Sequence, residues 1–288
     1  MTAPLSLAPM VSWRRYEIVH DSIHHYASDA ARSRNEVRLQ PLPRKGVQLE
    51  SFRLVVAPAA EMDAQVDHFG NPMWLVSVEA PHSELRLTAF SQVSILPGDA
   101  PAGEAIPWNP IRLRRTPAVE FRLPSPRVPE LAAIKALAKD MGLIEGDWES
   151  LVHANRELRL RFEYSSGSTV VSSPLEEILE RRVGVCQDFA HVLIALARHL
   201  GWPARYVSGY LVPEEESEGL SHAWVEVGSV DGRWLGLDPT HQSATGDWHV
   251  AVAVGRDYSD VSPMRGVFVS ESPGMPPEVS VRIAALDQ

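Results

Sequence analysis

The sequence lacks most of the features that would place a protein at a glance. It has one cysteine in 288 residues, so no intrachain disulfide can form. A lone thiol fits a reducing compartment. No apolar run approaches the roughly 20 residues that a membrane-spanning helix needs. The stretch RLVVA (53–57) is typical of what there is, and it reads as a strand. The first residues, MTAPLSLAPMVSWRRYE, carry neither an early basic cluster nor a sustained apolar core. This argues against a secretory leader, and a cytoplasmic location is expected. No glycine pattern of the phosphate- or dinucleotide-binding kind is present. No D-x-D-x-D-G loop of the calcium-binding kind is present either. Positive charge is not in surplus. The net charge is −10, with 14 Lys+Arg against 13 Asp+Glu in residues 1–128 and 13 against 24 in the rest. An acidic half repels phosphate backbones, so neither nucleic acid nor a membrane is an expected partner.

What the chain does have is enough apolar content to bury a core. Hydrophobic residues make up 44%, well outside the disordered range. Up to about residue 125 the pattern is β. EVRLQPL (36–42), QLESFRLVVA (48–57), WLVSVEA (74–80) and ELRLTAFSQVSIL (84–96) alternate apolar and polar residues between turn signals such as PRKG (43–46) and FGNP (69–72). Period-2 alternation at short spacing predicts an antiparallel β-sandwich. The proline-rich stretch 116–129 reads as a linker.

Helical spacing follows, over 129–142 and about 147–163, then near 174–182 and 186–200. Four strands are predicted after that, at 204–212, 222–228, 233–239 and 249–255. The expected fold class is therefore α+β, with a sandwich over residues 1–125 and a helix-on-sheet domain with a C-terminal β extension over 130–288.

The chemistry concentrates in RRVGVCQDFAHVLIALARHLG (181–201). Cys186 falls in the first turn of a predicted long helix. Unpaired N–H groups and the helix dipole make that end positive. Such a pole stabilises a thiolate and can hold an oxyanion formed when sulfur attacks a carbonyl. Gly184 permits a tight approach into the helix. A proton carrier is also needed. His222 lies at the start of one predicted strand and Asp238 at the end of the next. Adjacent antiparallel strands can set them side by side, with the carboxylate fixing the imidazole tautomer.

Other polar residues have plainer readings. Asp188 suits the helix dipole, His191 suits the core, and Asp257 and Asp260 read as structural. His20, His24 and His25 read as surface histidines of a loop, without the ligand spacing of a metal centre. Glu214, Glu215, Glu216 and Glu218 precede His222. They form either a solvated loop or an acidic lid that favours cationic substrates.

The motifs GVCQDFAHV (184–192), GYL (209–211), SHAWVEV (221–227), WLGLDPT (234–240) and GRDYSDVSPMRGVF (255–268) together resemble the transglutaminase-like superfamily. The resemblance is to its bacterial branch with a β-rich N-terminal region. It covers roughly residues 130–270, and FEYSSGSTVV (162–171) is similar to that branch's approach to the cysteine helix.

The resemblance implies a papain-like core in which Cys186, His222 and Asp238 form a catalytic triad working through an acyl-thioester, with no cofactor and no metal. Release by water would give hydrolysis of a peptide or other amide substrate; release by an amine would give transamidation. Tyr164, Gln187 and Trp224 are the candidate substrate-binding residues, although Tyr164 and Trp224 would serve equally as packing aromatics. A third alternative is a substrate- or partner-binding module with a vestigial site, against which the intact triad argues; in either case the N-terminal domain is a candidate surface for a protein partner or for self-association.

Overall fold

The computed structural model describes residues 12–98, 117–212, 217–218, 220–229 and 233–286. The N-terminal part contains β1 (Arg14–Ala30), β2 (Arg32–Val37), β3 (Val47–Ala57), β4 (Glu61–Val66), β5 (Pro72–Val78) and β6 (His82–Ile95). The last two expected strands, and that over 48–57, fall where alternation places them. The strand expected over 36–42 is met only at its start, since β2 ends at Val37, and β1 is not expected at all, because its inward positions are mixed. Tyr16, Ile18, His20, Ser22 and Tyr26 all point inward and are buried. His20, His24 and His25 therefore lie on a long strand and not in a surface loop. His20 is 2% exposed and its Nδ1 lies 3.0 Å from the Tyr210 hydroxyl. Burial lowers its pKa to about 4, against a smaller opposing pull from Asp21, so the ring is neutral at pH 7.

The chain then builds a helical layer. α1 (Pro117–Glu120) and α2 (Ala132–Asp140) lead to α3 (Trp148–Arg161). The Asp147 carboxylate caps α3 by accepting the Ser150 N–H at 2.8 Å. β7 (Glu163–Tyr164), α4 (Leu175–Arg181) and β8 (Val183–Gly184) bring the chain to α5 (Cys186–His199). Ten consecutive residues of α5, Asp188–Ala197, are buried. A helix apolar on all sides belongs in the centre of a domain. α5 packs there against α2, α3, α4 and the sheet that follows.

That sheet is built from β9 (Ala204–Leu211), β11 (Leu220–Gly228), β12 (Trp234–Asp238), β13 (Ser243–Ala244) and β14 (His249–Gly255), with β10 (Ser217–Glu218) leaving it for a neighbour. Its order is β13-β12-β11-β9-β14, antiparallel throughout. Alternation along β11 sends Ala223, Val225 and Val227 into the helical core. His222, Trp224 and Glu226 take the other parity.

α6 (Tyr258–Val261) closes this unit, and β15 (Met264–Val269) and β16 (Glu278–Leu286) end the described chain. The last two strands were expected as an extension of the second domain. They pair instead with the first: β16 lies beside β1, and β15 beside β2. The sandwich thus has sheets β10-β16-β1-β6-β3 and β15-β2-β5-β4, with a shared core that includes Leu54, Val76, Val78, Leu85 and Leu87.

Beyond the sandwich core, the same inward face of the first sandwich sheet packs on the second domain. Tyr16, Ile18, Val93, Ile95 and Ile283 meet Tyr210, Val212, Val250 and Val252 in one buried cluster. Asn71, fully buried, seals the seam. Its side-chain amide donates to the Val254 carbonyl and accepts the Val254 N–H, both at 2.8 Å. The domains share apolar cores and backbone-type hydrogen bonds, so the sheet carrying His222 and Asp238 is braced from both faces.

Candidate active site

The start of α5 is built by Asp188. Its Oδ2 accepts the Val185 N–H at 2.9 Å and the Thr169 hydroxyl at 2.7 Å. Burial raises the Asp188 pKa, and the hydrogen bonds from Val185 and Thr169 oppose that rise. A Cβ on Gly184 would sit 2.7 Å from the Asp188 Cβ, so only glycine lets the carboxylate fold back over the helix start. The structural role expected for Asp188 is what the geometry shows. The N–H groups of Cys186 and Gln187, in the first turn, have no intrahelical carbonyl to bond. Cys186 itself is half-buried.

His222 sits near the start of β11, opposite Gly209 of β9. Its Nε2 donates to the Asp238 Oδ2 at 2.8 Å, and Cys186 is near enough to act on its charge. Burial is the largest single influence on its pKa and disfavours charge. The hydrogen bond to Asp238 and the nearby Cys186 together outweigh it and raise His222 to about 9. The three residues named from the sequence therefore converge: a helix start, a strand start and a strand end, with His222 and Asp238 hydrogen-bonded.

Asp238 has more partners than the sequence suggested. It is fully buried. Oδ2 accepts not only His222 but His241 Nδ1 at 2.8 Å and His249 Nε2 at 3.0 Å. Oδ1 accepts the N–H groups of Thr240 at 2.9 Å and His241 at 3.2 Å. Burial works against the carboxylate charge, but the three imidazole donors overcome it and hold Asp238 well below the usual carboxylate range. His241 and His249 escaped the sequence reading. The one available signal was His241, three residues past Asp238 in the turn DPTH. His222, Asp238 and His241 offer two nitrogens and an oxygen within 4.8 Å of one another, a set that could hold a metal ion. Each of the two imidazoles already directs a ring N–H at Oδ2, so the hydrogen bonds alone account for the grouping.

The candidate substrate residues divide. Tyr164 is paired in register with Gly184 and packs edge-on to Phe189, with ring centroids 6.0 Å apart. Burial first, then the nearby Cys186, raises its phenol pKa, which places it beside the nucleophile. Gln187 turns aside: its Nε2 donates to the Val171 carbonyl at 3.2 Å. Trp224 is 1% exposed, so it packs and cannot touch a substrate in this conformation. Its ring stacks behind His222 at 6.3 Å and stands edge-on to His249 at 5.0 Å. Gly209 makes the room, since a Cβ there would lie 2.6 Å from the Trp224 ring and 2.2 Å from the Val250 carbonyl.

The tail motif is structural, as expected. Asp257 accepts the N–H groups of Arg127 and Ser259, both at 2.8 Å. His191 Nε2 accepts the Tyr258 N–H at 3.2 Å. Glu214, Glu215 and Glu216 lie outside the described residues.

Comparison with known proteins gives the family and the fold. The transglutaminase-like superfamily model matches residues 135–239, and the bacterial transglutaminase-like N-terminal region model matches residues 16–94. An uncharacterized protein of Mycobacterium leprae is 32% identical over 265 residues, covering 88% of this chain and 93% of its own. A protein-glutamine gamma-glutamyltransferase of Pseudomonas aeruginosa is 29% identical over 125 residues, 38% of this chain and 18% of that one. A crystal structure from Cytophaga hutchinsonii, described as a candidate cysteine protease, has the same fold. It superimposes with a TM-score of 0.74 over 96% of this chain and 92% of that one, at 21% identity. The chain belongs to the transglutaminase-like superfamily, in the form that carries the bacterial N-terminal β region.

Proposed function

We propose that the protein is a cysteine-dependent amide hydrolase that works through an acyl-thioester on Cys186, His222 and Asp238. The observation that carries this reading is the convergence of Cys186, at the start of α5, with His222, whose Nε2 donates to the buried Asp238 carboxylate. His222 takes the thiol proton of Cys186. The Cys186 sulfur forms a bond to the substrate carbonyl carbon, and the carbonyl π electrons move to oxygen. The N–H groups at the start of α5 are placed to bond that oxyanion. When the oxyanion collapses, the C–N bond breaks and His222 gives its proton to the leaving amine. A water then attacks the thioester while His222 takes its proton. The C–S bond breaks, releasing the acid and restoring Cys186 and His222. Asp238 never changes protonation; it holds the imidazole and balances its charge.

A second reading, transamidation, draws support from the similarity to the Pseudomonas aeruginosa gamma-glutamyltransferase. In that case an amine replaces water in the last step. A labelled primary amine offered with a glutamine-containing peptide separates the two. Hydrolysis gives free acid and ammonia with little label in peptide. Label incorporated without acid would sink hydrolysis as the main activity and favour transamidation.

A further inference from the structure

His249 stands apart from the other partners of Asp238 because its chemistry is fixed on both sides. It opens β14, and its side chain is 2% exposed. Its Nδ1 accepts the backbone N–H of Gly246 at 3.0 Å. A backbone amide can only donate, so Nδ1 carries the lone pair and the ring proton sits on Nε2. That Nε2–H donates to Asp238 Oδ2 at 3.0 Å. The indoles of Trp224 and Trp248 pack edge-on to its ring, with centroids 5.0 and 4.7 Å away, and keep water from it. Burial also opposes its protonation. The ring is therefore a neutral donor of a single tautomer, aimed at the same oxygen that orients His222. His241 is different. It gives Nδ1–H to that oxygen, but its side chain is 38% exposed.

We propose that His249 is a positioning residue, which holds Oδ2 of Asp238 in line with His222 and takes up part of the charge on that oxygen. Two consequences follow. The carboxylate is anchored from β14 as well as from its own turn, so His222 keeps its angle to Cys186. The pull of Asp238 on the His222 proton is also moderated, which lets that proton pass to the leaving amine. The role rests on the hydrolase reading for its effect on turnover, but not for its effect on His222 itself. The titratable groups around this centre are His222, His241 and His249 on Asp238, with Cys186 and Tyr164 on the far side of His222.

Two variants test it. His249→Phe keeps the ring and its packing but removes the donor. His249→Gln can return an N–H near the Nε2 position. The first readout is the imidazole titration of His222, followed by nuclear magnetic resonance; the second is kcat and KM for amide turnover. With one donor fewer on Oδ2, the His222 midpoint should rise by about half a unit to one unit in His249→Phe and return in His249→Gln. kcat should fall about 10- to 100-fold in His249→Phe with KM within about twofold, and recover in His249→Gln. A His249→Phe protein with unchanged His222 midpoint and unchanged kcat would overturn the proposal. If the unmodified protein turns over no amide, the hydrolase reading fails, and the His222 midpoint alone decides the role of His249. If His249→Phe does not fold, the midpoint in His249→Gln against His249→Asn, whose shorter amide cannot reach Oδ2, decides in its place. Equal midpoints in those two would overturn it.

Discussion

Asp238→Asn is expected to lower kcat by about 10³- to 10⁴-fold. The reason is a count of donors. Five N–H groups converge on this carboxylate: those of His222, His241 and His249 on Oδ2, and the backbone groups of Thr240 and His241 on Oδ1. An asparagine has one acceptor oxygen and one NH₂. Whichever way the amide sits, the NH₂ faces donors. If it faces the imidazoles, His222 must expose a lone pair to it, which puts the proton on the wrong nitrogen for exchange with Cys186. The charge that helps hold His222 near 9 is lost as well, so the imidazolium is no longer favoured at neutral pH. Stability falls too, because three imidazoles lose the buried carboxylate that accepts their N–H groups. Turnover should therefore be measured well below the melting temperature. A loss smaller than about tenfold would mean that Asp238 does not orient His222 during the reaction.

The largest effect on stability is expected at Glu226, away from the chemistry. Glu226 is 4% exposed and shares β11 with His222. It accepts Arg205 Nε at 2.7 Å and Nη2 at 2.6 Å, across the strand pair, and Arg44 Nη1 from the N-terminal domain. Arg205 also lies 4.2 Å over the Trp234 ring. Burial alone would raise the Glu226 pKa, but the two guanidinium groups outweigh it and lower it.

Glu226→Ala leaves two largely buried cations facing each other without an anion. The expected cost is about 3–5 kcal/mol, a fall in Tm of roughly 10 °C for a chain of this size. Arg44→Met should cost less, because Glu226 keeps Arg205. The pH dependence has a definite sign. A carboxylate with a depressed folded-state pKa stabilises above its unfolded pKa, near about 4.3, and the contribution is lost as pH falls through and below that value. A melting temperature unchanged in Glu226→Ala would show that the cluster is solvated.

The parts of this fold that could be read in the sequence are those whose signal is local. The cysteine helix announces itself through an apolar run ended by Gly201 and Pro203, and the strands from 204 to 255 through apolar segments between turns. The helix start, His222 and Asp238 follow from those elements. Two things were hidden because they depend on distant pairing. β1 carries His20 and Ser22 on its inward face, since Tyr210 of the other domain supplies a hydroxyl there, and period-2 apolar alternation breaks down. β15 and β16 look like a tail, yet each completes a sandwich sheet begun more than 200 residues earlier.

The site was hidden in the same way. His249 reads as an ordinary strand-start histidine until the turn at Gly246 and the strand order place it on Asp238. Alternation along β11 gives Trp224 its face but not its burial, because it reports parity and not depth.

The most direct test of the central claim is the rate at which iodoacetamide alkylates Cys186, followed from about pH 5 to pH 9 in the unmodified protein and in His222→Ala. An unassisted thiol reacts in proportion to its ionised fraction, with a midpoint near about 8.5. The expected result is a rate that at about pH 6 is still a large fraction of its alkaline value, because the His222 imidazolium persists up to about 9, and that falls at least about tenfold in His222→Ala. A rate that climbs about tenfold per pH unit through neutrality, identical in both proteins, would contradict a thiolate held by His222.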